Sequence, residues 1–473
     1  MASLNSILDM SAASLDAERA AMATASQNLQ NAGTPGYSRQ VAVLAATEPA
    51  QQQGQAFIGS GVTLQTVTQV RDQFLENQIP AQLGNAAGSA AGSSALQSVS
   101  ALDPQATGGV ASSLSAFYAS LQTMEQNPAD PGIRQSVVAA AQALAQSFQS
   151  TRSALEGART GADAKLQGDV SQVNGLAAQV ASLNGQIATA RASGGQPNDL
   201  LDARQSAMDQ LASLAGVAPV TDSSGNVSLF LPGGAPLVSG LQSFTLSTAP
   251  DPANGGHLAL QLQGPSGSAV ALTGVGGEMG GIVSARDGAL ATAETSLDGL
   301  AWDLGTSVNA VHQAGYGLDG STGNALFTLG ASSAGAAGQI SVNAAIATDP
   351  AKLAAAGAAT GPTSAAPGDT ANLQALVATQ QAMLPSSGQT ATATIAQITS
   401  SFGSATQTAT ALSSQDAAIL SQLQTMRSSV SGVSIDQELV SLQQAQRGYQ
   451  AISQVIQTAG LMFDSLLTAV QGA

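Results

Sequence analysis

The chain has 473 residues, a formal net charge of −16 and no cysteine, and 9% of its residues are charged. Typical soluble domains are roughly a quarter charged, so Gln, Ser, Thr and Ala take the place of charge here. The lack of cysteine excludes disulfides, thiolate metal sites and cysteine nucleophiles. The two lysines, Lys165 and Lys352, stand apart among scattered arginines, and no basic stripe exists, which argues against nucleic-acid binding.

The apolar pattern argues against membrane insertion and against a standard secretory signal. No uninterrupted apolar run reaches the roughly 18 residues that a spanning helix needs. The first 29 residues lack a basic start and carry acidic residues at Asp16 and Glu18. We therefore predict that any export leaves the N-terminus uncleaved. The length predicts two to four domains.

Residues 1–38 are predicted to form a coiled-coil helix followed by a tight turn. A seven-residue spacing of apolar side chains favours a helix with one seam facing a partner helix. The seam residues are Leu8, Leu15, Met22 and Leu29. A type II turn should follow, because proline fixes φ at its second position and glycine accepts a positive φ at its third. The turn residues are Thr34, Pro35, Gly36 and Tyr37.

Residues 39–216 are predicted to combine an extended segment with a long helical bundle. Alternation of apolar residues between 39 and 70 indicates strands. A helix from Arg71 is expected to be interrupted at Pro80 and in the Gly/Ala/Ser-rich run 84–94. Apolar steps of three and four residues predict amphipathic helices after it. These helices are expected at about 110–125, 132–192 and 198–214.

Residues 217–281 change character and are predicted to form a small inserted β domain. The stretch is rich in Gly, Pro, Val, Leu and Thr, and its short alternating runs are separated by turn clusters. The strand candidates are 227–231, 244–247, 258–262 and 270–272. Residues 282–430 are predicted to return to the helical domain, with a loop-rich section up to about Thr370.

Residues 431–473 carry the strongest pattern in the chain and predict a C-terminal coiled-coil helix. One apolar position recurs every seven residues, at Ile435, Leu442, Tyr449, Ile456, Phe463 and Val470. A second position follows three residues later, at Ala445, Ile452, Ala459 and Leu466. Such a narrow stripe is typical of a coiled-coil seam. Because an isolated helix is marginal in water, we expect this one to be ordered only against the N-terminal helix or neighbouring copies.

The predicted fold class is therefore mainly α with an inserted small β domain. Long terminal helices form coiled coils, a helical domain lies in the middle, and the β domain is on the outside. No pattern predicts catalysis, a cofactor or a metal. His257 and His312 have no ligand-like spacing and are interpreted as a loop residue and a helix-end residue. Phosphate-loop, dinucleotide and Gly-x-Ser-x-Gly patterns are also missing, so we predict that the protein is not an enzyme.

Several stretches, in a fixed order, resemble one family. Residues 27–40, QNLQNAGTPGYSRQ, resemble the N-terminal signature of bacterial flagellar rod, hook and hook-associated proteins. The Arg39-Gln40 pair is most similar to the hook-associated protein 1 branch. Further stretches resemble that branch, at 128–134, 197–204 (PNDLLDAR), 340–353, 431–439 (SGVSIDQEL) and 446–451 (QRGYQA). The turn alone is shared by many axial proteins, whereas the combination is specific.

The resemblance implies a structural subunit of the bacterial flagellum that joins hook to filament in the motility organelle. It implies type III secretion without a cleaved signal, an extracellular location, and a homo-oligomer whose terminal helices line the central channel as coiled coils. The implied partners are the hook protein, the second junction protein and an export chaperone that holds the C-terminal helix. The short 327–340 region indicates that a second outer β domain of longer members is missing.

Two alternatives stay open. The first is another flagellar axial protein, such as the second junction protein, a hook or rod protein, or a flagellin-like subunit, although the TPGYSRQ turn favours the first junction protein. The second is an enzyme or adhesin function in the 217–280 insert. That insert has one histidine and few acidic residues, which disfavours hydrolysis. Binding of a sugar or a surface by its loops is not excluded by the sequence.

Overall fold

Long helices and small antiparallel sheets make up the computed structural model of this chain. It describes residues 4–34, 36–47, 51–53, 56–58, 61–99, 102, 109–264, 267–361 and 364–471. The mainly α fold class with small β sheets is confirmed. The helices are α1 (Leu4–Gln30), α2 (Gln73–Gln97), α3 (Val110–Gln126), α4 (Pro131–Ala192), α5 (Asn198–Ala215), α6 (Gly277–Ala285), α7 (Ala291–Ala314), α8 (Ala336–Gln339), α9 (Ala344–Thr348), α10 (Ala371–Ala378), α11 (Ala391–Ser431) and α12 (Ile435–Gln471).

The strands pair only with antiparallel neighbours and form six small sheets within the described residues. Near the N-terminus β1 pairs with β4, and β2 pairs with β3; the ranges are β1 (Gln40–Ala46), β2 (Gln51–Gln53), β3 (Ala56–Ile58) and β4 (Val62–Gln69). The insert holds β5 (Ala218–Thr221), β6 (Val227–Phe230), β7 (Pro236–Ser239), β8 (Gln242–Ser243), β9 (Thr245–Pro250), β10 (Leu258–Gln263) and β11 (Ala269–Ala271). The remaining pairs are β12 (Phe327–Thr328) with β13 (Ser341–Val342), and β14 (Ala359–Gly361) with β15 (Ser364–Ala365).

The second helix corrects one sequence prediction. The expected interruptions at Pro80 and in the run 84–94 are wrong, because α2 is continuous through both. Its glycines let neighbouring backbones approach closely, and a Cβ on Gly88 would lie 2.8 Å from the carbonyl oxygen of Gly277 in α6. Close packing against α5, α6 and α11 therefore outweighs the low helix propensity of glycine.

The main core lies where α3, α4, α7, α10 and the start of α11 meet. Phe117 and Phe327 are buried there with ring centroids 5.9 Å apart, and the buried Tyr118 hydroxyl pairs with Thr379 Oγ1 at 3.0 Å. Arg134 at the start of α4 is also buried. Its guanidinium donates to the carbonyl oxygens of Pro128 at 2.6 Å and Leu353 at 2.8 Å. Arg134 thus joins two stretches that carry the sequence resemblance.

The insert contains two sheets rather than one run of four strands. Strands β5 to β8 form one sheet, and β9 to β11 form the other in the order β11-β10-β9. The sequence predicted β6, β9, β10 and β11 but missed β5, β7 and β8, which are short and begin or end in turns. The predicted boundary between residues 281 and 282 falls inside α6.

An ionic cluster, which we call the insert network, fixes the β9–β10 turn against the helices. Arg286, between α6 and α7, is buried and forms ion pairs with Asp163 of α4 and with Asp287, the latter at 2.7 Å. It also donates to the carbonyl oxygen of Leu258 at 2.8 Å. His257 Nδ1 lies 2.7 Å from Asp163 Oδ2. The predicted loop position of His257 is confirmed, but its ring is buried and paired.

His312 near the end of α7 is fully buried and holds two loops. Its Nε2 accepts from the N–H of Ala354 at 3.0 Å, so Nδ1 carries the proton and donates to the carbonyl oxygen of Asn324 at 2.7 Å. Burial lowers the pKa of His312, partly opposed by the bond to Asn324. The ring is therefore a neutral structural group.

We expect His312 to make stability fall at acidic pH. The folded-state pKa lies below the ordinary value of 6.5, so only the unfolded chain gains a proton as pH falls through that value. The contribution is complete above pH 6.5 and is lost below it, with a slope of at most about 1.4 kcal/mol per pH unit. Urea unfolding of wild type and His312→Gln between pH 8 and pH 5 should give a shallower pH slope for the variant. Equal slopes would contradict this.

Candidate functional site: the junction of the terminal helices

The terminal helices α1 and α12 pack against each other as an antiparallel pair. Asn28 contacts Glu438 at one end of the pair, and further along both helices the Arg19 guanidinium lies 5.9 Å from the centre of the Tyr449 ring. This register places Leu4 near residue 462. The last part of α12 therefore extends beyond the start of α1.

The predicted seam residues of α1 lie beside its most buried face. All four of them, Leu8, Leu15, Met22 and Leu29, are half-buried. The fully buried residues of α1 are smaller, namely Ser11, Ala17, Thr24, Ala25 and Asn28. Because α1 is covered by β1 and β4 as well as by α12, small side chains occupy its closest contacts.

The predicted seam of α12 faces α1 only in its central part. Leu442, Tyr449 and Ile456 are half-buried, and Ala445 and Ala459 are buried. Ile435 is 53% exposed and Phe463 is 45% exposed. The side chain of Val470 lies outside the described residues. The seam therefore stays a prediction as an assembly surface, since its two ends have no cover from α1.

The turn after α1 has the geometry expected for the motif. Gly36 has a φ of +83°, and the N–H of Tyr37 donates to the carbonyl oxygen of Thr34 at 3.2 Å. Both features fit a type II turn with glycine at its third position. Pro35 lies outside the described residues.

Asn28 organises the polar core of the junction. Its side chain is 1% exposed and makes four hydrogen bonds. The Nδ2 group donates to the carbonyl oxygen of Gln40 at 2.8 Å and to Glu438 at 3.1 Å, while Oδ1 accepts from the Gln40 N–H and the Tyr37 hydroxyl, both at 2.9 Å. The amide is thus fully satisfied. Burial, followed by nearby carboxylates, raises the pKa of Tyr37 to about 12, so its hydroxyl remains a donor.

Glu438 in the first turn of α12 connects the two ends of the chain. The residue is 3% exposed, and its Oε1 lies 2.7 Å from Arg39 Nε. The N–H of Arg39 donates to the carbonyl oxygen of Ser431 at the end of α11. The chain entering β1 is therefore held to both C-terminal helices.

The start of α5 completes the junction. Asn198 donates to the carbonyl oxygen of Val67 at 2.9 Å, and Asp199 accepts from Gln27 at 3.2 Å. Asp202 forms an ion pair with Arg71. Three stretches that resemble one family, 27–40, 197–204 and 431–439, are thus brought to one place although they lie far apart in the sequence.

A second group of ion pairs extends from the junction into the body. Arg71 also contacts Glu76 at 3.5 Å, and Glu76 pairs with Arg427 of α11 at 3.2 Å. Arg427 lies 3.6 Å from Asp209 of α5. These ion pairs connect α2, α5 and α11 beside the junction.

Sequence reasoning missed the polar residues that make this junction. Asn28, Gln40 and Glu438 were only parts of recognised motifs, and no role was predicted for their side chains. No local pattern singles out Asn28, because Thr24, Ser26 and Gln27 are also polar between the seam positions Met22 and Leu29. Among the described residues, no group of three His, Cys, Asp or Glu side chains is placed to hold a metal ion.

Comparisons with known proteins agree with the motifs. Residues 96–327 match the model of the flagellar hook-associated protein FlgK helical domain, and 427–469 match that of the flagellar basal body rod FlgEFG protein C-terminal region. Flagellar hook-associated protein 1 of Salmonella typhimurium is 25% identical over 551 residues, covering 98% of this chain and 100% of the relative. Residues 96–327 belong to the flagellar hook-associated protein FlgK family, and the chain as a whole is similar to flagellar hook-associated protein 1. It is accordingly a structural component of the flagellum.

Other relatives of the hook-associated protein 1 family fit the same assignment. The Bacillus subtilis protein of that name is 27% identical over 229 residues, covering 47% of this chain and 45% of the relative. The solved flagellar hook junction protein FlgK from Burkholderia pseudomallei has a TM-score of 0.68 at 20% identity, covering 75% of this chain and all of the solved chain. That structure supports the fold. No helix in the described ranges is long and apolar enough to cross a membrane.

Proposed function

We propose that the protein is the adaptor that joins hook to filament and that it self-assembles through its terminal helices. The observation that supports this is the surface of α12. In the described part of that helix, nine large apolar side chains are exposed, although α1 already covers one face. They are Ile435, Leu439, Val440, Val455, Leu461, Met462, Phe463, Leu466 and Leu467.

We propose that neighbouring copies of the chain bury these side chains. Monomeric proteins rarely expose a contiguous apolar surface of this kind, and burying one large side chain contributes about 1.5–3 kcal/mol. The end of α12 extends past α1, so its seam can enter the helix pair of the next copy. The proposed product is a homo-oligomer with nested terminal helices around the channel, and the ten predicted seam residues remain part of this proposal.

The same helix suggests how the subunit travels and what it meets. We propose that an export chaperone covers α12 in the cytoplasm, since its apolar face would otherwise aggregate. The chain then leaves by type III secretion with its N-terminus uncleaved, and it contacts the hook protein on one side and the second junction protein on the other. The five-part division at residues 38, 216, 281 and 430 stays a prediction.

Deletion of the gene tests the proposed function. Flagella imaged from the deletion strain should retain the hook and lack the filament, and the full chain should restore it. Leu461→Gln and Leu466→Gln change side chains that are 71% and 58% exposed, so they should spare folding but reduce filament attachment. Thr458→Gln, at another exposed position on α12, is the matched control. Normal filaments in the deletion strain would overturn the proposal.

A second candidate is another axial protein, such as a rod or hook subunit, the second junction protein or a flagellin-like subunit. The observation that favours this candidate is the match of residues 427–469 to the rod-protein C-terminal model. The same deletion separates a rod or hook role from a junction role, because loss of both hook and filament supports a rod or hook role. A hook with unpolymerised filament subunits in the medium supports the junction role.

A further inference from the structure

The outer half of α11 carries an apolar ridge that nothing in the described chain covers. Three large side chains spaced seven residues apart, Leu412, Ile419 and Met426, are 50%, 40% and 45% exposed. We call these three residues the α11 ridge. At 1.5 Å per residue, the ridge is about 21 Å long.

No ridge residue is itself charged, although Asp416 lies four residues after Leu412 and three before Ile419, next to the ridge on the helix surface. Helix α11 has 41 residues but only two that are ionisable, Asp416 and Arg427. Both face the body, where Asp416 accepts from Gln82 of α2 and Arg427 pairs with Glu76. In a chain with a net charge of −16, such a surface can meet a second copy with little repulsion between like charges.

A groove of complementary shape lies between α2 and α4. These helices contact each other little, and the space between them is about 800 Å³. Its walls are made of small side chains, including Ala87, Ala91, Ser94, Ala154, Gly157 and Gly161. We call this space the α2–α4 groove. The wall on α4, from Ala154 to Lys165, is about 17 Å long at 1.5 Å per residue.

The chemistry of the groove favours a helix over a small ligand. Its two ionisable lining residues, Lys165 and Glu278, lie 2.7 Å apart and neutralise each other. Lys165 also bonds to Asp169. Pockets for small molecules are lined mainly by large hydrophobic and aromatic side chains with a few polar groups placed to contact the ligand, and this groove has neither aromatic walls nor an unpaired ionisable group. Walls of alanine and glycine instead let a helix approach closely, with its large side chains filling the space.

We propose that the α11 ridge of one copy docks in the α2–α4 groove of a second copy. The ridge supplies large uncharged side chains, and the groove supplies walls of mostly small side chains of similar length, with the Lys165–Glu278 ion pair at one end. No ridge residue lines the groove, so the two surfaces are distinct and the contact is head-to-tail. Contacts of that type repeat from copy to copy and generate rings or helical arrays. The inference rests on the proposed self-assembly and adds a contact outside the terminal helices.

Cysteine cross-linking of the purified full chain tests this contact. The chain has no cysteine, so introduced thiols are the only ones present. A chain with both Ile419→Cys and Gly161→Cys should give a ladder of covalent multimers with a bifunctional maleimide. An equal mixture of the two single variants should give dimers and nothing longer. No ladder at the highest soluble concentration, or a ladder from either single variant, would overturn the inference.

Matched positions on the same helices provide the controls. Replacing Ile419→Cys by Ser421→Cys moves the thiol about 200° around α11 and should remove the ladder. A Cβ on Gly157 or on Gly175 meets no atom within 4 Å, so leucine fits at both sites in α4. Gly157→Leu fills the groove and should lower the multimer yield at least about tenfold, as an interface anchor worth 1.4 kcal/mol would. Gly175→Leu, outside the groove, should leave the yield unchanged; equal effects would overturn the inference.

Failure of this contact can be told apart from failure of the proposed function. The cross-linking uses purified protein and does not depend on filament growth. If the ladder is absent while the deletion strain lacks filaments, the docking contact is wrong and the adaptor function stands. If the ladder forms but the deletion strain grows normal filaments, the adaptor function is wrong and the contact between copies stands.

Discussion

Glu438→Ala should release both terminal helices from the body without unfolding the rest of the chain. The substitution removes the carboxylate that pairs with Arg39 at 2.7 Å and accepts from Asn28 at 3.1 Å. Breaking a buried pair costs about 3–5 kcal/mol. Because the Arg39 side chain is 29% exposed and can regain water, we expect about 2–3 kcal/mol.

Hydrogen–deuterium exchange gives the direct measurement of this loss. A cost of 2–3 kcal/mol corresponds to roughly 30- to 150-fold faster exchange through local opening. The increase should appear in peptides from α1 and α12, while peptides from α3 and the first half of α4 should exchange as in the wild type. These core helices provide an internal reference in the same sample.

Two variants in the same chain control for other effects of the change. Asp436→Ala removes a second acidic residue from the first turn of α12, where both carboxylates favour the helix dipole. Asp436 is exposed, so this variant should change exchange little. Glu438→Gln keeps an acceptor for Asn28, so its exchange rate in α1 and α12 should lie between those of the wild type and Glu438→Ala. If Asp436→Ala and Glu438→Ala accelerate exchange equally, the buried pair is not what holds the termini.

Local patterns allowed the helices and the turn to be predicted from the sequence. The helix α4 was expected at 132–192 and occupies Pro131–Ala192, because Asp130 caps its start and a glycine pair follows its end. The turn at Thr34 needs only proline and glycine in adjacent positions. Such features depend on residues close together in the sequence, so the sequence of the segment itself is enough to predict them.

Features that depend on distant contacts could not be predicted. The bond between Asn28 and Glu438 joins residues 410 positions apart, and neither side chain has a pattern that marks burial. Helix α2 was expected to break at Pro80, yet packing against α5, α6 and α11 keeps it continuous. The exposed ends of the α12 seam follow from the antiparallel register with α1, which periodicity alone does not give.

Arg286→Met should be among the most destabilising single substitutions in the body of the chain. The guanidinium is 3% exposed and holds Asp163, Asp287 and the carbonyl oxygen of Leu258. Removing it leaves two carboxylates without their cation at the base of the insert. Loss of one partner from a buried ionic cluster costs about 3–5 kcal/mol. Urea unfolding should show this loss, whereas Arg191→Met, an exposed arginine at the end of α4, should cost less than about 1 kcal/mol.

A double-mutant cycle separates the stabilisation by the Arg286–Asp163 ion pair from the free-energy cost of leaving one of the two charges unpaired. Asp163→Leu alone leaves Arg286 with Asp287 as a partner at 2.7 Å, but it also removes the acceptor of His257 at 2.7 Å and of the Leu258 N–H at 3.2 Å, so its cost should be similar to that of Arg286→Met. The double variant removes both charges and should be more stable than the sum of the single losses predicts, with a coupling of about 1–3 kcal/mol. Additive losses would mean that Arg286 acts through its packing and its bond to Leu258. A positive coupling means that the charge pair between Arg286 and Asp163 of α4 itself stabilises the contact between the insert and the helical body.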